Sequence, residues 1–356
     1  MPPWSAPTCW RFSICTRAVT SHRTPRRHLL QCVTRMRKIF LNEVGRLRSG
    51  WRVLIFVALF IIISLLVATV LRAGYAIVVA FAPSIPHSGF VAEVIFRFGL
   101  LATALGAGYL CTRFLEGLPW RSLGLTLHAG WFRDLVIGFV VGFASLALAV
   151  AIAFKGLHFS LTTAGVMPTV RSLIGSAVLL FVAALAEEAM FRGYGLQTLS
   201  RAKLAWLGVL LTSVPFALVH LSNPNVVPFV TFANTALAGI WLAAAYLRTR
   251  SLWLPLGVHW AWNWALGWFF GLPISGINLV SNPLLQGEES GPKWLTGGSY
   301  GIEGGVACTI ALIIVTVFLW RTSLVSATPE LLKMTSEENP ATVEPVLSLR
   351  PVDDQA

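Results

Sequence analysis

Three short patterns place charged or hydrogen-bonding side chains inside otherwise apolar stretches. They are Glu187-Glu188-Ala189-Met190-Phe191-Arg192, Phe216-Ala217-Leu218-Val219-His220 and His259-Trp260-Ala261-Trp262-Asn263. Carboxylates, imidazoles and an amide are the groups that activate a water and stabilise the oxyanion formed when it attacks a carbonyl. In a helix, the i,i+4 spacing puts Glu188 and Arg192 on one face, with the acid on the N-terminal side, so the two can neutralise one another. Glu187 is rotated about 100° from Glu188, so the same arginine does not easily serve both. One carboxylate is left over and becomes the candidate general base. His259 and Asn263 share a face by the same spacing. Taken singly, either histidine reads as a satisfied structural residue; together with the carboxylates they read as a site. Glu93 and Arg97, also at i,i+4, read as a structural ion pair.

These residues are costly where they stand. The chain has 356 residues, 56% apolar and 12% charged, where a soluble domain carries about 25% charged residues. That composition excludes an ordinary soluble enzyme, a disordered protein and a nucleic-acid binder. An ionisable group inside a spanning helix costs a few kcal/mol, so its presence asks for a reason.

The elements that must position the site are membrane helices. A bilayer core about 30 Å thick needs about 20 apolar residues. Eight segments qualify, at roughly 52–72, 91–112, 133–154, 171–200, 204–221, 227–247, 252–270 and 302–320, so the expected fold is an all-α polytopic membrane protein of about eight transmembrane helices. The fourth segment is long because it turns amphipathic after Ala186. With the turn near residue 202 as origin, Glu187 and His220 lie about 22 and 27 Å up their helices. With the turn near residue 250 as origin, His259 and Asn263 lie about 14 and 20 Å up theirs. All four then fall in one middle layer.

Net charge is +12, but residues 1–52 hold 11 of the 27 Lys and Arg and one acid, Glu43, and so carry +10 of it. The basicity belongs to an N-terminal arm. Loop arginines and lysines collect on the arm's side, which predicts that both termini are cytoplasmic. Residues 1–35 are Arg-rich and free of acids. They read as a transit peptide, a cytosolic arm or sequence upstream of a start at Met36, the last being preferred. The expected organisation is a basic arm at 1–35, a transmembrane unit at 36–321 with its motifs within 170–270, and a disordered tail at 322–356. No internal repeat or second domain is visible. Five scattered cysteines support neither a disulfide framework nor a cysteine zinc site. Residues 119–134 read as an interfacial segment, 297–305 as a plain glycine-rich loop, and Gly138-x-x-x-Gly142 as a helix-packing pattern, within the monomer or between protomers.

The three patterns, intact and in order, resemble the EExxxR, FxxxH and HxxxN/D motifs of the CPBP family, the CaaX-protease and bacteriocin-processing intramembrane endopeptidases also called Abi proteins. The stretches Leu252–His259 and Leu295–Gly305 are also similar to bacterial members. The resemblance covers roughly 40–320. It implies hydrolysis of a peptide bond in a membrane-associated or prenylated protein, in a multi-pass protein of a bacterial cell membrane. Glu187 with His220 would activate the water. His259 and Asn263 would stabilise the oxyanion or help hold the site, and Glu188, Arg192 and Phe216 would support it. Zinc held by Glu187, His220 and His259 is one version of the chemistry; a metal-free, carboxylate-activated water fits the residues at least as well, and no HExxH pattern is present. The implied partners are a membrane protein or peptide substrate and the lipid bilayer, with no nucleic acid. The competing readings are a catalytically idle scaffold or immunity protein, and a transporter using the same polar residues as a proton relay.

Overall fold

The computed structural model describes residues 38–43, 45–81 and 89–335. The expected basic arm at 1–35 lies outside the described residues, as does the tail from 336 onward.

The described chain is nearly all helical. Helix α1 runs Ser49–Phe81 and α2 Gly89–Cys111, the latter continuing as a π turn over Thr112–Glu116. Helix α3 is Trp131–Ala153. Helix α4, Val166–Glu188, passes through a π turn at Ala189–Gly193 into α5, Tyr194–Arg201. Helices α6, Ala205–His220, and α7, Pro228–Thr249, follow. Helix α8 is Trp253–Trp264 with a π turn at Ala265–Phe269. After it come α9, Lys293–Thr296, α10, Val306–Arg321, and α11, Pro329–Thr335.

Each of the eight expected segments is helical; among the described residues five helical stretches are long and apolar enough to cross a membrane: Ser49–Phe81, Gly89–Glu116, Trp131–Gly156, Val166–Arg201 and Pro228–Thr249. The other three are shorter. Helices α6 and α10 have 16 residues each, and α8 has 12 followed by the 5 of its π turn. A 16-residue helix is about 24 Å long, less than the hydrocarbon core. Apolar character in these segments extends into turns and loops, which is why composition overstates their helical length.

The largest apolar core is built from α3, α4, α7, α8 and α10, with Leu146, Val150, Leu180, Trp241, Leu254, Val258 and Leu312 among its buried members. Helix α8 is packed tightest. Gly138 and Gly142 of α3 lie so close to it that an added Cβ would meet Leu254 O at 2.3 Å and Val258 O at 2.2 Å. From the other side, a Cβ on Gly257 would meet Leu135 O at 2.2 Å. The small-residue pattern therefore serves packing within the monomer, seating the helix that carries His259 and Asn263.

The structure adds four features to the sequence reading. A two-stranded antiparallel hairpin pairs β1, Leu157–Leu161, with β2, Leu285–Glu289, joining segments far apart in sequence. The second half of the fourth segment is amphipathic, as its sequence predicts, but its polar face is buried as well: residues 191–200 are buried throughout. Its polar residues face a buried carboxylate instead. Glu116 accepts from Arg52 at 3.1 Å and also pairs with Thr198 and Arg201. Residues 119–134 leave Trp120, Leu127 and Phe132 exposed while being anchored to the helices. Their loop is stitched to the α7–α8 turn by Leu252 N–H to Gly124 O at 2.8 Å and Trp253 Nε1 to Thr126 O at 2.9 Å. Finally, the first part of the expected tail is ordered. Arg248 donates to Val325 O at 3.0 Å, and α11 buries Leu331. Val325 and Leu331 are buried, and with the Arg248 bonds they anchor this segment.

Candidate active site

The chemistry-bearing residues come from four helices and face one cavity of about 250 Å³. Glu187, Phe216, His220, His259 and Asn263 all line it, together with Arg97. Glu188 and Arg192 lie behind this lining, fully buried.

Helix α4 brings Glu187 and Glu188 to adjacent faces at its last turn, just before the π turn. A π turn inserts one residue into the helix and is frequently found where side chains must be re-aimed. Here it separates Glu188 from Arg192 while keeping them paired, Arg192 Nη1 donating to Glu188 Oε1 at 3.0 Å. Arg192 Nη2 also donates to Gly239 O at 3.3 Å, which ties the site helix to α7. Its guanidinium carbon lies 4.6 Å from the centre of the Phe216 ring, a cation–π contact in a dry setting.

Glu188 serves a second partner. His259 Nδ1 lies 2.8 Å from Glu188 Oε1. A carboxylate accepts only, so this contact places the proton on Nδ1 and turns Nε2 toward the cavity side. Nε2 lies 3.7 Å from Glu187 Oε2. His220, at the end of α6, is oriented by its own helix: its Nδ1 donates to Phe216 O at 2.7 Å. A carbonyl can only accept, so the lone pair of His220 is on Nε2. The Phe216 ring packs against both imidazoles, with centroids 4.7 Å from His220 and 6.1 Å from His259.

The leftover carboxylate is not left alone. Arg97 of α2 pairs with Glu93 at 2.7 Å, as its spacing predicts, and also reaches Glu187 Oε1 at 3.8 Å. The expectation that Glu187 lacks a cationic neighbour holds for Arg192 but not for the molecule. Periodicity can pair residues within a helix; it is blind to the crossing of α2 over α4 that brings Arg97 in.

Sequence reasoning also missed Glu303. It stands in the glycine-rich stretch read as a plain loop, which folds as short 3₁₀ turns at Gly298–Tyr300 and Ile302–Gly304. Its carboxylate lines the same cavity. A lone acid between glycines, far from any motif, gave no signal beyond its presence in an acid-poor chain.

The donor set does not fit a three-ligand metal site. Among the described residues no group of three His, Cys, Asp or Glu side chains is gathered to hold a metal ion. The bonds at Nδ1 leave Nε2 of both histidines available, but the cationic Arg97 stands beside Glu187, the third donor such a site would need.

Residues 169–265 match the family model described as type II CAAX prenyl endopeptidase Rce1-like. The matched stretch runs from α4 to just past α8 and contains all three motifs. No curated protein matches the chain. The match supports a likeness to the CPBP/CAAX proteases, and the apolar helices with it support a multi-pass membrane protein.

Proposed function

We propose that this chain is an intramembrane endopeptidase of the CAAX type, which hydrolyses a peptide bond in a prenylated or otherwise membrane-associated protein. The observation that carries the reading is the convergence of Glu187, His220, His259 and Asn263 on one cavity, with the buried Glu188–Arg192 pair behind them.

In this mechanism a water in the cavity lies between Glu187 and His220. Glu187 takes its proton as the water oxygen bonds to the substrate carbonyl carbon, and His220 Nε2 orients the water through its lone pair. The oxyanion that forms is held by the amide N–H of Asn263, while His259, its ring fixed by Glu188, helps hold the site beside Glu187. The proton on Glu187 then passes to the departing nitrogen as the C–N bond breaks. Donors already aimed in a dry cavity stabilise such charge by several kcal/mol without rearrangement. Arg97 holds Glu187 in place from the α2 side. The water is thus activated by the chain's own groups.

The same proposal takes residues 36–321 as the membrane unit, its eight helices including α6, α8 and α10, with both termini in the cytoplasm. Arg46, Arg52 and Arg201 gather around Glu116, and Arg248 binds the chain after α10, in keeping with a basic cytoplasmic end.

The test is to reconstitute the purified protein in liposomes with a prenylated CAAX peptide and identify the products by mass spectrometry. The proposal predicts one released C-terminal fragment. A scaffold or transporter leaves the peptide intact.

A further inference from the structure

Glu303 is an acidic cavity residue that the motifs do not account for. It lies in the turn before α10, and three donors hold its carboxylate. Trp262 Nε1 donates to Oε1 at 2.9 Å; the backbone N–H of Ser275 donates to Oε2 at 2.6 Å and the Ser275 hydroxyl at 3.0 Å. The glutamate's own position is fixed from behind, because Asn234 Nδ2 donates to its carbonyl at 2.7 Å.

What these bonds connect is the point. Trp262 is on α8, between His259 and Asn263 in sequence. Ser275 belongs to the loop that forms part of the cavity wall with Ile274 and Ile277. It adopts φ +47°, a left-handed conformation that a non-glycine residue holds only with support from its surroundings. The loop is bound on its other side by the end of α6: Asn223, three residues beyond His220, donates to Ser275 O at 3.0 Å. One carboxylate therefore joins the helix of His259 and Asn263 to a strained loop that is itself tied to the helix of His220.

We propose that Glu303 is a positioning residue of the site: by clamping Ser275 and Trp262 it fixes the wall against which the substrate chain lies. This rests on the peptidase reading. A carboxylate offers two acceptor oxygens, and both are used here. Glutamine offers one, and turns its NH₂ toward either the indole N–H or the Ser275 N–H. Glu303→Gln therefore loses one arm of the clamp at almost unchanged volume.

The experiment compares wild type with Glu303→Gln in proteoliposomes, using the prenylated CAAX peptide for kinetics and hydrogen exchange for the loop. The expected result is a KM about five- to fiftyfold higher with kcat within about threefold, since the groups that act on the peptide bond are intact. Amide exchange over residues 274–277 should be at least about tenfold faster, since the loop loses a bond that closes it. Should Glu303→Gln not accumulate as folded protein, Trp262→Phe, which removes one donor, carries the same comparison. Unchanged exchange with unchanged KM overturns the proposal, and so does a fall in kcat at constant KM. If the wild type fails to cleave the peptide, the peptidase reading falls instead, and the exchange measurement still decides whether Glu303 holds the wall.

Discussion

At the scale of single residues, the adjacent glutamates have different surroundings and so different expected costs. Glu188 is completely buried and is shared by Arg192 and His259. Removing it leaves a guanidinium buried without its carboxylate, a change that costs about 3–5 kcal/mol. Glu187 keeps some exposure to the cavity, and its contact with Arg97 is long, at 3.8 Å. Neutralising it should cost about 1 kcal/mol or less. Thermal unfolding in detergent should accordingly show a large loss for Glu188→Ala and little change for Glu187→Gln. Equal losses would mean that the two acids are not divided between scaffold and cavity. That division was legible in the sequence, because helical spacing alone pairs Glu188 with Arg192. The second partner of Glu188 was not, because His259 lies 71 residues away and reaches it only through the packing of α4 on α8. Arg97 and Glu303 were hidden for the same reason.

At the scale of elements, the seat of α8 decides whether His259 and Asn263 point into the cavity. Three glycines set its distance from α3. A methyl on Gly257 would stand 2.2 Å from a backbone carbonyl that a rigid helix cannot move. Gly257→Ala should therefore force the helices apart, at a cost in the range of about 1–3 kcal/mol for overpacking, and should lower cleavage with it. Gly106→Ala is the control, because a Cβ there meets nothing within 4 Å. Unfolding temperature and cleavage rate of the two variants, measured side by side, check this; a neutral Gly257→Ala would remove α8 packing from the account. The GxxxG spacing announced a close helix contact, but the partner helix, which had to be within reach and equally small at Gly257, could not be read from one helix. The ends of α6, α8 and α10 were less legible than their existence, since apolar residues in turns count the same as apolar residues in helices.

At the scale of the whole molecule, the hairpin of β1 and β2 ties residues near 160 to residues near 287, outside the spanning helices. It carries Glu289, whose carboxyl is pushed up to about 7 by burial, against the lowering effects of a hydrogen bond to Thr296 and the charge of Lys293. The unfolded chain would ionise this group near about 4.3, so the folded state binds the proton more tightly. The corresponding stability is fully present below that value and is lost as pH rises through about 7. Unfolding temperature should fall between about pH 5 and 8, and Glu289→Gln should flatten the fall. An unchanged slope in the variant would assign the pH dependence to other groups. The hairpin had no counterpart in the sequence reading, because two five-residue strands separated by more than 120 residues carry no periodic signal strong enough to announce their pairing.

The account turns on Glu187 as the group that activates water. The most direct test is cleavage of the prenylated CAAX peptide by wild-type and Glu187→Gln protein in the same liposomes, with equal insertion and equal unfolding temperature established first. The account predicts that wild type releases the C-terminal fragment and that the variant is slower by at least about 10²-fold, the scale of a lost general base. Cleavage by Glu187→Gln at the wild-type rate would contradict it.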